Sequence, residues 1–471
     1  MANVNLNTPV LSGGILNTNF FNGRVLSAED LTTLQVANAQ QHRQLGRVVG
    51  EGVAWGLQAK LGDNSNIAQP VLHITKGLAL NRKGEVVALP ADVDLALVKT
   101  ADVVSANAGL FAECTPPKEV VPTNLDCYLL TVSPASGYQG STSATYPSGS
   151  GVASICASRN TVEGVKFCLL PLGVSTSTAS DATTLAGQAV QLYAQLKPLF
   201  AQVVGLTPPA STSLQAQIAP LLSTFRNVVA HLCFGTDTLS TFPANPFPPA
   251  TGASLFDEYG ALDALREPGI LTDCAVPLAL VYWTAAGVQF VDMWSVRRPV
   301  VCAPASLRWP VFSGDRRCRE GLAIFLQFQQ HMAELGATLG SSSLSSVTAQ
   351  NFFRYLPAAG LLPVAGGSSS TGFSSTGFFA NLISRNPVFI EGLRMEATLQ
   401  ESFLCPPADT TTQEMIWLYS VRENMQAIAS VPPTSTTPYL LFTTGYLPYK
   451  GEPQFNLSRW NFSNFALVPR P

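Results

Sequence analysis

At 471 residues and 50.0 kDa the chain is too long for one core of ordinary size, so roughly two to four domains are expected. Its formal net charge of −3 comes with no basic run, which argues against nucleic-acid binding, since gripping a phosphate backbone takes clustered Lys and Arg. Charged residues make up only 12%, about half the usual share, against 46% hydrophobic, so much of the surface is expected to lie under other subunits. The bland alternative is a neutral surface rich in Ser, Thr and Gly.

In chain order, the first predicted element is an extended arm ending in Asn19-Phe20-Phe21-Asn22-Gly23-Arg24. Ser27 followed by Asp30 is a carboxylate variant of the capping box, with Glu29 and Asp30 in the first turn where negative charge suits the helix dipole. The helix should end near Gly46 to Gly50. Val53 to Leu61 and Val71 to Thr75 read as strands, and a turn at Lys83-Gly84 separates Gly77–Leu80 from Val86–Leu89. These short runs fit a small roll or barrel packed on the helix. Residues 1–100 are taken as this N-terminal module.

Residues 101–180 read as β-rich, with strands at Leu125 to Val132 and Gly164 to Leu172. Between them, Ser136 to Gly151 has no hydrophobic period and reads as a mobile Gly/Ser/Thr/Tyr loop. Residues 181–250 hold an αα-hairpin, with helices at Ala182 to Val204 and Leu214 to Leu232 around Pro208-Pro209. Residues 251–365 contain an uncharged stretch, Cys274 to Val291. It reads as a β-hairpin around Thr284-Ala285-Ala286-Gly287 and not as a membrane span. Its first strand is too uniformly apolar for a solvated sheet and should be covered on both faces. Asp292 on the second strand then needs a partner, with Arg297 or Arg298 as candidates. A helix from Gly321 to Leu335 follows. Residues 366–471 combine a Ser/Gly linker (Gly366 to Gly377) with a mostly β domain carrying one helix near Gln413 to Ile428. The fold class is multidomain α+β, mostly short-stranded antiparallel β with several helices.

Chemistry is sparse. His42, His73, His231 and His331 are far apart, and no spacing seats a metal. Gly13-Gly14 and Gly50-Glu51-Gly52 lack the lysine of a phosphate loop, and Gly149-Ser150-Gly151 sits in no strand-to-helix turn. Glu29-Asp30 and Asp257-Glu258 read as helix-start pairs, and Arg316-Arg317-Cys318-Arg319 as a local salt-bridge or capping cluster. No catalytic, cofactor-binding or metal-ligating set is assigned. Nine scattered cysteines and a polar Met1 to Asn7 start, with no visible signal peptide, suit buried thiols in a reducing compartment and predict no structural disulfide.

The opening resembles structural proteins of contractile phage-tail-like injection systems. The resemblance rests on an ordered series: Phe21-Asn22-Gly23-Arg24, Leu26 to Leu31, a Gln/Arg-rich helix, Gly50 to Leu57 and Gly77 to Glu85. Looser matches follow at Cys156 to Arg159, Val296 to Arg298 and Phe353 to Pro363. Trp55 departs from the pattern, standing where a small residue or Cys is usual. The resemblance implies a baseplate-associated or peripheral component of such a particle, assembled in the cytoplasm with other particle subunits as partners, and no enzymatic activity. Self-association in a symmetric ring or trimer is expected because most such surfaces are isologous or cyclic. Phe20, Phe21, Arg24 and Trp55 are the candidate interaction residues. For any single aromatic among them a place in the core is the more frequent role. The rival reading is a surface or secreted carbohydrate-binding or hydrolytic protein using Trp309, Trp417, Tyr439 or Trp460 as sugar platforms. Paired carboxylates should then lie nearby, but Tyr439 to Trp460 offers only Glu452.

Overall fold

A computed structural model describes residues 14–67, 69–97, 126–148, 151–179, 181–204, 212–236, 260–266, 268–300, 314–339, 344, 346–363, 373, 375–380, 382–384, 387–412, 415–422 and 439–450. The fold is multidomain α+β. Helix α1 (Ala28–Val49) leads into strands β1 (Gly52–Gly56), β2 (Ala59–Leu61), β3 (Val71–Ile74), β4 (Gly77–Leu80), β5 (Val86–Leu89) and β6 (Val93–Ala96). These form two three-stranded antiparallel sheets, ordered β1-β4-β5 and β2-β3-β6. The single strand expected over Val53 to Leu61 is therefore two, in different sheets. The chain breaks at Leu57, a non-glycine residue held at φ 51°. Arg297 fastens this break by donating to the Leu57 carbonyl at 2.8 Å and the Gly56 carbonyl at 2.5 Å.

The central sheet has the order β10-β9-β7-β8, from β7 (Cys127–Ser148), β8 (Gly151–Pro171), β9 (Val276–Thr284) and β10 (Gly287–Asp292). It joins strands from both the 101–180 and 251–365 segments, so sequence blocks and structural layers do not coincide. Period two divides its side chains between two faces, with the phase reset by bulges, one on β9 at Leu278 between the partners of Leu130 and Thr131 and one on β10 between Val288 and Phe290. Cys127, Leu129, Leu280, Tyr282 and Phe290 pack with α2 (Leu185–Val204) and α3 (Thr212–Phe234), the expected αα-hairpin. Tyr128, Leu130, Val132, Leu278 and Val281 face the two small sheets. The apolar β9 is thus covered on both faces, as its composition required.

In place of the loop expected at Ser136 to Gly151, the described residues there are strand. β7 pairs with β8 in continuous antiparallel register from Tyr128↔Pro171 to Ser148↔Gly151. Only Cys127 to Val132 also pair with β9, so beyond them, among the described residues, β7 and β8 run on as a two-stranded ribbon. The 22 residues of β7 span about 75 Å at ~3.4 Å per residue. Thr, Val and Tyr suit a strand even where no apolar alternation marks one. The order of the ribbon comes from backbone pairing, which leaves no trace in the pattern of side chains.

Short helices α4 (Gly260–Arg266) and long α5 (Gly314–Leu339) precede α6 (Ala349–Phe352), β11 (Tyr355–Leu356), β12 (Ala359–Pro363), α7 (Ser375–Phe378), β13 (Ile383–Ser384), β14 (Val388–Glu391), α8 (Gly392–Ser402), β15 (Ala408–Asp409), β16 (Met415–Arg422) and β17 (Tyr439–Thr444). Within the helix expected near Gln413 to Ile428, the described residues Met415–Arg422 form a strand. β16 is flanked by β17 on one side and by β13 and β14 on the other. Ile416 and Leu418 face the α5 core while Trp417 and Tyr419 face the opposite one, and a run covered on both faces has no period to read. β12 pairs with β17 across the boundary drawn at 365/366. The Ser/Gly tract carries one core anchor, Phe373, and Phe378 and Phe379 just beyond its end are also buried. Pro208-Pro209 and Asp257-Glu258 lie outside the described residues, as do Gly13, Gly149 and Ser150.

Cys274 is disulfide-bonded, against the expectation of free thiols throughout. Scattered spacing carries no information on which cysteines meet in space. Cys127 and Cys233 are free and buried, and burial pushes the Cys233 thiol up to about 12. His231 and His331 are buried core residues; burial holds His231 down at about 3, with the Arg354 charge adding to the effect.

Asp292 does need a partner, but it is neither predicted arginine. Arg226 of α3 donates Nε to Asp292 Oδ2 at 2.6 Å, Gln327 of α5 donates to the same oxygen at 2.9 Å, and the Ser295 backbone N–H reaches Oδ1 at 3.1 Å. Arg298 pairs with Glu320 at 2.6 Å, and Arg297 is committed to the Gly56 and Leu57 carbonyls. The helical partners were unpredictable because they are 66 and 35 residues away in sequence. Asp292→Ala leaves Arg226 buried with only Glu334 beside it, and is expected to lower unfolding stability by about 3 kcal/mol. Replacing both partners, Asp292→Leu with Arg226→Met, should recover most of that loss. Denaturant titration of the three proteins checks this, and an unchanged midpoint for Asp292→Ala would contradict it.

Candidate functional site

Among the described residues no group of three or more His, Cys, Asp or Glu side chains is placed to hold a metal ion. No helix there is long and apolar enough to cross a membrane. What the fold does present is apolar surface at its N-terminal end, built on a rigid start.

The capping box forms as its residues dictate. The Asp30 N–H donates to Ser27 Oγ at 3.2 Å and the Ser27 N–H to Asp30 Oδ2 at 3.0 Å, satisfying two orphan donors of the first turn. Arg24 ties the arm to this cap: it pairs with Asp30 and donates to the Asn19 carbonyl at 2.7 Å. Its guanidinium also lies 5.8 Å from the Phe21 ring centroid. Thr18 Oγ1 adds a bond to the Asp30 carbonyl at 2.7 Å. The Ser27 backbone N–H, then the Ser27 hydroxyl and the Arg24 charge, hold the Asp30 carboxyl below its usual range. The arm is therefore fixed in place while its apolar side chains are not covered. Phe20 is 51% and Phe21 63% exposed, with Leu16, Val25 and Leu26 also exposed.

The far end of α1 rests on the β4–β5 turn. Gly46 approaches the Gly84 backbone so closely that an added Cβ would stand 2.1 Å from the Gly84 carbonyl oxygen. Arg43 pairs with the buried Glu85 at 2.8 Å, and Arg47 donates to the Lys83 carbonyl at 3.2 Å. This explains the glycines at both positions.

Trp55 is 53% exposed on β1. Its neighbours across the sheet are Leu78 and then Ala88, while Gly52, Leu80 and Val86 make the next row. Val53, Ala79 and Val87 point the other way, into the core. The outer face thus carries Trp55, Leu78, Leu80, Val86 and Ala88, where a solvated antiparallel sheet would show polar residues. Trp where the pattern has a small residue enlarges this face. All three candidate aromatics are therefore on the surface, which corrects the expectation that any single one belongs to the core. Sequence reasoning missed the outer-face residues Leu78, Leu80, Val86 and Ala88. Their signal was the absence of polar alternation in both strands.

No protein-family model and no curated protein matches the chain. Among solved structures it is similar to a crystal structure of TssK, with a TM-score of 0.19 and 9% identity over 49% of this chain. The match spans 62% of that TssK chain, less than two thirds of its length. It is also similar to a chain of the TssK–TssF–TssG baseplate subcomplex of the type VI secretion system. There the TM-score is 0.17 and the identity 11%, over 50% of this chain and 92% of that one. Likeness this slight carries no functional argument.

Because the Asp30 carboxyl is depressed, the order it gives the arm is fully present above the ordinary carboxylate value of 3.8. It is lost as pH falls through the lowered value. Amide protection factors in residues 18–32, corrected for the intrinsic exchange rate at each pH, are expected to be high at neutral pH and to fall in that acid window. Asp30→Asn should give the low protection already at neutral pH, with the rest of the chain unaffected. Equal protection in the variant would contradict the role of the cap.

Proposed function

We propose that this chain is a non-enzymatic structural subunit of a contractile phage-tail-like injection particle, assembled in the cytoplasm and placed at or near the baseplate. It works through subunit contacts. The observation that carries the reading is the fixed but uncovered N-terminal surface: Phe20, Phe21 and Trp55 are each more than half exposed on ordered backbone. Large aromatics at such positions are the usual anchors of protein–protein contacts. The ordered motifs from Phe21 to Glu85 direct the reading to contractile particles, and the β7–β8 ribbon supplies a second extended element able to reach a neighbour. A two-stranded ribbon is marginal alone in water, so a neighbour would also stabilise it.

The carbohydrate reading gains nothing from the aromatics it invoked. Trp417 is half-buried with its ring 4.8 Å from that of Tyr449, and Trp309 and Trp460 lie outside the described residues. Tyr439 opens β17.

Phe20→Ser with Phe21→Ser, and separately Trp55→Ser, change exposed positions and should leave the melting temperature unaltered. Recovery of the chain with sedimented particles from the producing cells is expected to fall roughly 30-fold, the ~2 kcal/mol of a buried aromatic anchor. Recovery at the parental level in both variants would overturn the proposal.

A further inference from the structure

Helix α1 carries a second uncovered feature. Leu31, Leu34, Asn38, Gln41, Leu45 and Val48 recur at alternating spacings of three and four, the a/d pattern of a coiled-coil seam. In this protein most of that seam is open: Leu31 is 50%, Leu45 65% and Val48 71% exposed, Asn38 and Gln41 are exposed between them, and Leu34 is half-buried. Ala37 and Gly46, off the seam, are the buried positions of the helix.

The order of the layers says what covers the seam. Its ends are apolar and its centre polar, so a partner must present the same order read in reverse or in parallel. A second copy of α1 laid antiparallel does so. Leu31 meets Val48 of the second copy, Leu34 meets Leu45, and Asn38 meets Gln41, with a two-fold axis passing between positions 39 and 40. An amide then faces an amide at each polar layer, and no polar group faces a leucine. Charge distinguishes antiparallel from parallel. The first turn is acidic (Glu29, Asp30) and the last turn carries Arg47, so antiparallel helices set opposite charges and opposite dipole ends together. A parallel pair would set like beside like. The protomer body attaches at the Gly46 end through Gly84. Antiparallel helices place the two bodies at opposite ends of a seam about 26 Å long, where they do not compete for space.

We infer that the chain forms a two-fold dimer through antiparallel pairing of α1. This rests on the reading of the N-terminal surface as an interface and names a second copy as the occupant of one part of it. Such a contact is isologous and closes on itself.

Light scattering of the full chain at tens of micromolar is expected to give twice the 50.0 kDa chain mass. Leu45→Glu and Val48→Glu, at exposed positions, should convert it to monomer with no change in melting temperature. Geometry is read separately by bismaleimide cross-linking. A mixture of Leu31→Cys chains with Val48→Cys chains should cross-link well above the parental background. Leu31→Cys alone and Val48→Cys alone should not. A monomeric parent, or like-with-like cross-links exceeding the mixed ones, overturns the inference. A monomer that still enters particles removes the dimer and leaves the proposed function standing. A confirmed dimer never recovered with particles does the reverse.

Discussion

Asp292 has no exposed side-chain surface at the end of β10, and the chain keeps it there only by bringing Arg226 and Gln327 to it from two different helices. That requirement organises the rest. It holds α3 and α5 against the central sheet at a set depth, and Phe225, Tyr282 and Phe290 then close around the pair, with ring centroids 4.8–6.4 Å apart. Arg226 also lies 5.4 Å from the Phe290 centroid, so its charge is used on the apolar side as well. A buried ion pair of this kind is weak evidence for stability, since a matched apolar pair can replace it. It is better evidence for a single arrangement, because each buried charge tolerates only neighbours that neutralise it or hydrogen-bond to it.

Just beyond Asp292 the same segment reaches the N-terminal module. Arg297 holds the break between β1 and β2, the Val53 N–H donates to the Arg298 carbonyl at 2.9 Å, and Arg319 donates to the Glu51 carbonyl at 3.1 Å. The Glu51 carboxylate, which burial alone would raise, is lowered by the charges of Arg82, Arg266 and Arg319. Much of the limited charge of this chain is thus spent internally, on fastening layers. The outside of the N-terminal module is left with Phe, Trp, Leu and Val on backbone that cannot move them out of water. Such a surface is costly for a free protein and useful for one that spends its life in contact with others.

How far the sequence could be read follows from where its information lies. The capping box, the Gly46–Gly50 helix end, the β4–β5 turn and the β9–β10 hairpin are local, and each appears where its residues place it. Reading β9 as two-faced core also held, because nine nearly uniform apolar residues leave no solvent side. Failures came where partners are distant. The β7–β8 ribbon gains its order from backbone pairing that leaves no apolar period, and β16 looked helical because both faces are buried. The partner of Asp292 and the bridging of Cys274 depend on contacts across the fold. For the candidate site, the motif order pointed to Phe20, Phe21, Arg24 and Trp55, but not to their exposure. The outer sheet face and the α1 seam were present in the sequence as missing polar positions and were not read as such.

The account stands on the claim that the N-terminal surface is covered by another subunit in the working assembly. Electron cryomicroscopy of native particles carrying this chain tests it directly. The prediction is density from a neighbouring chain within van der Waals contact of Phe20, Phe21 and Trp55. Particles that contain the chain with all three side chains facing solvent would contradict it.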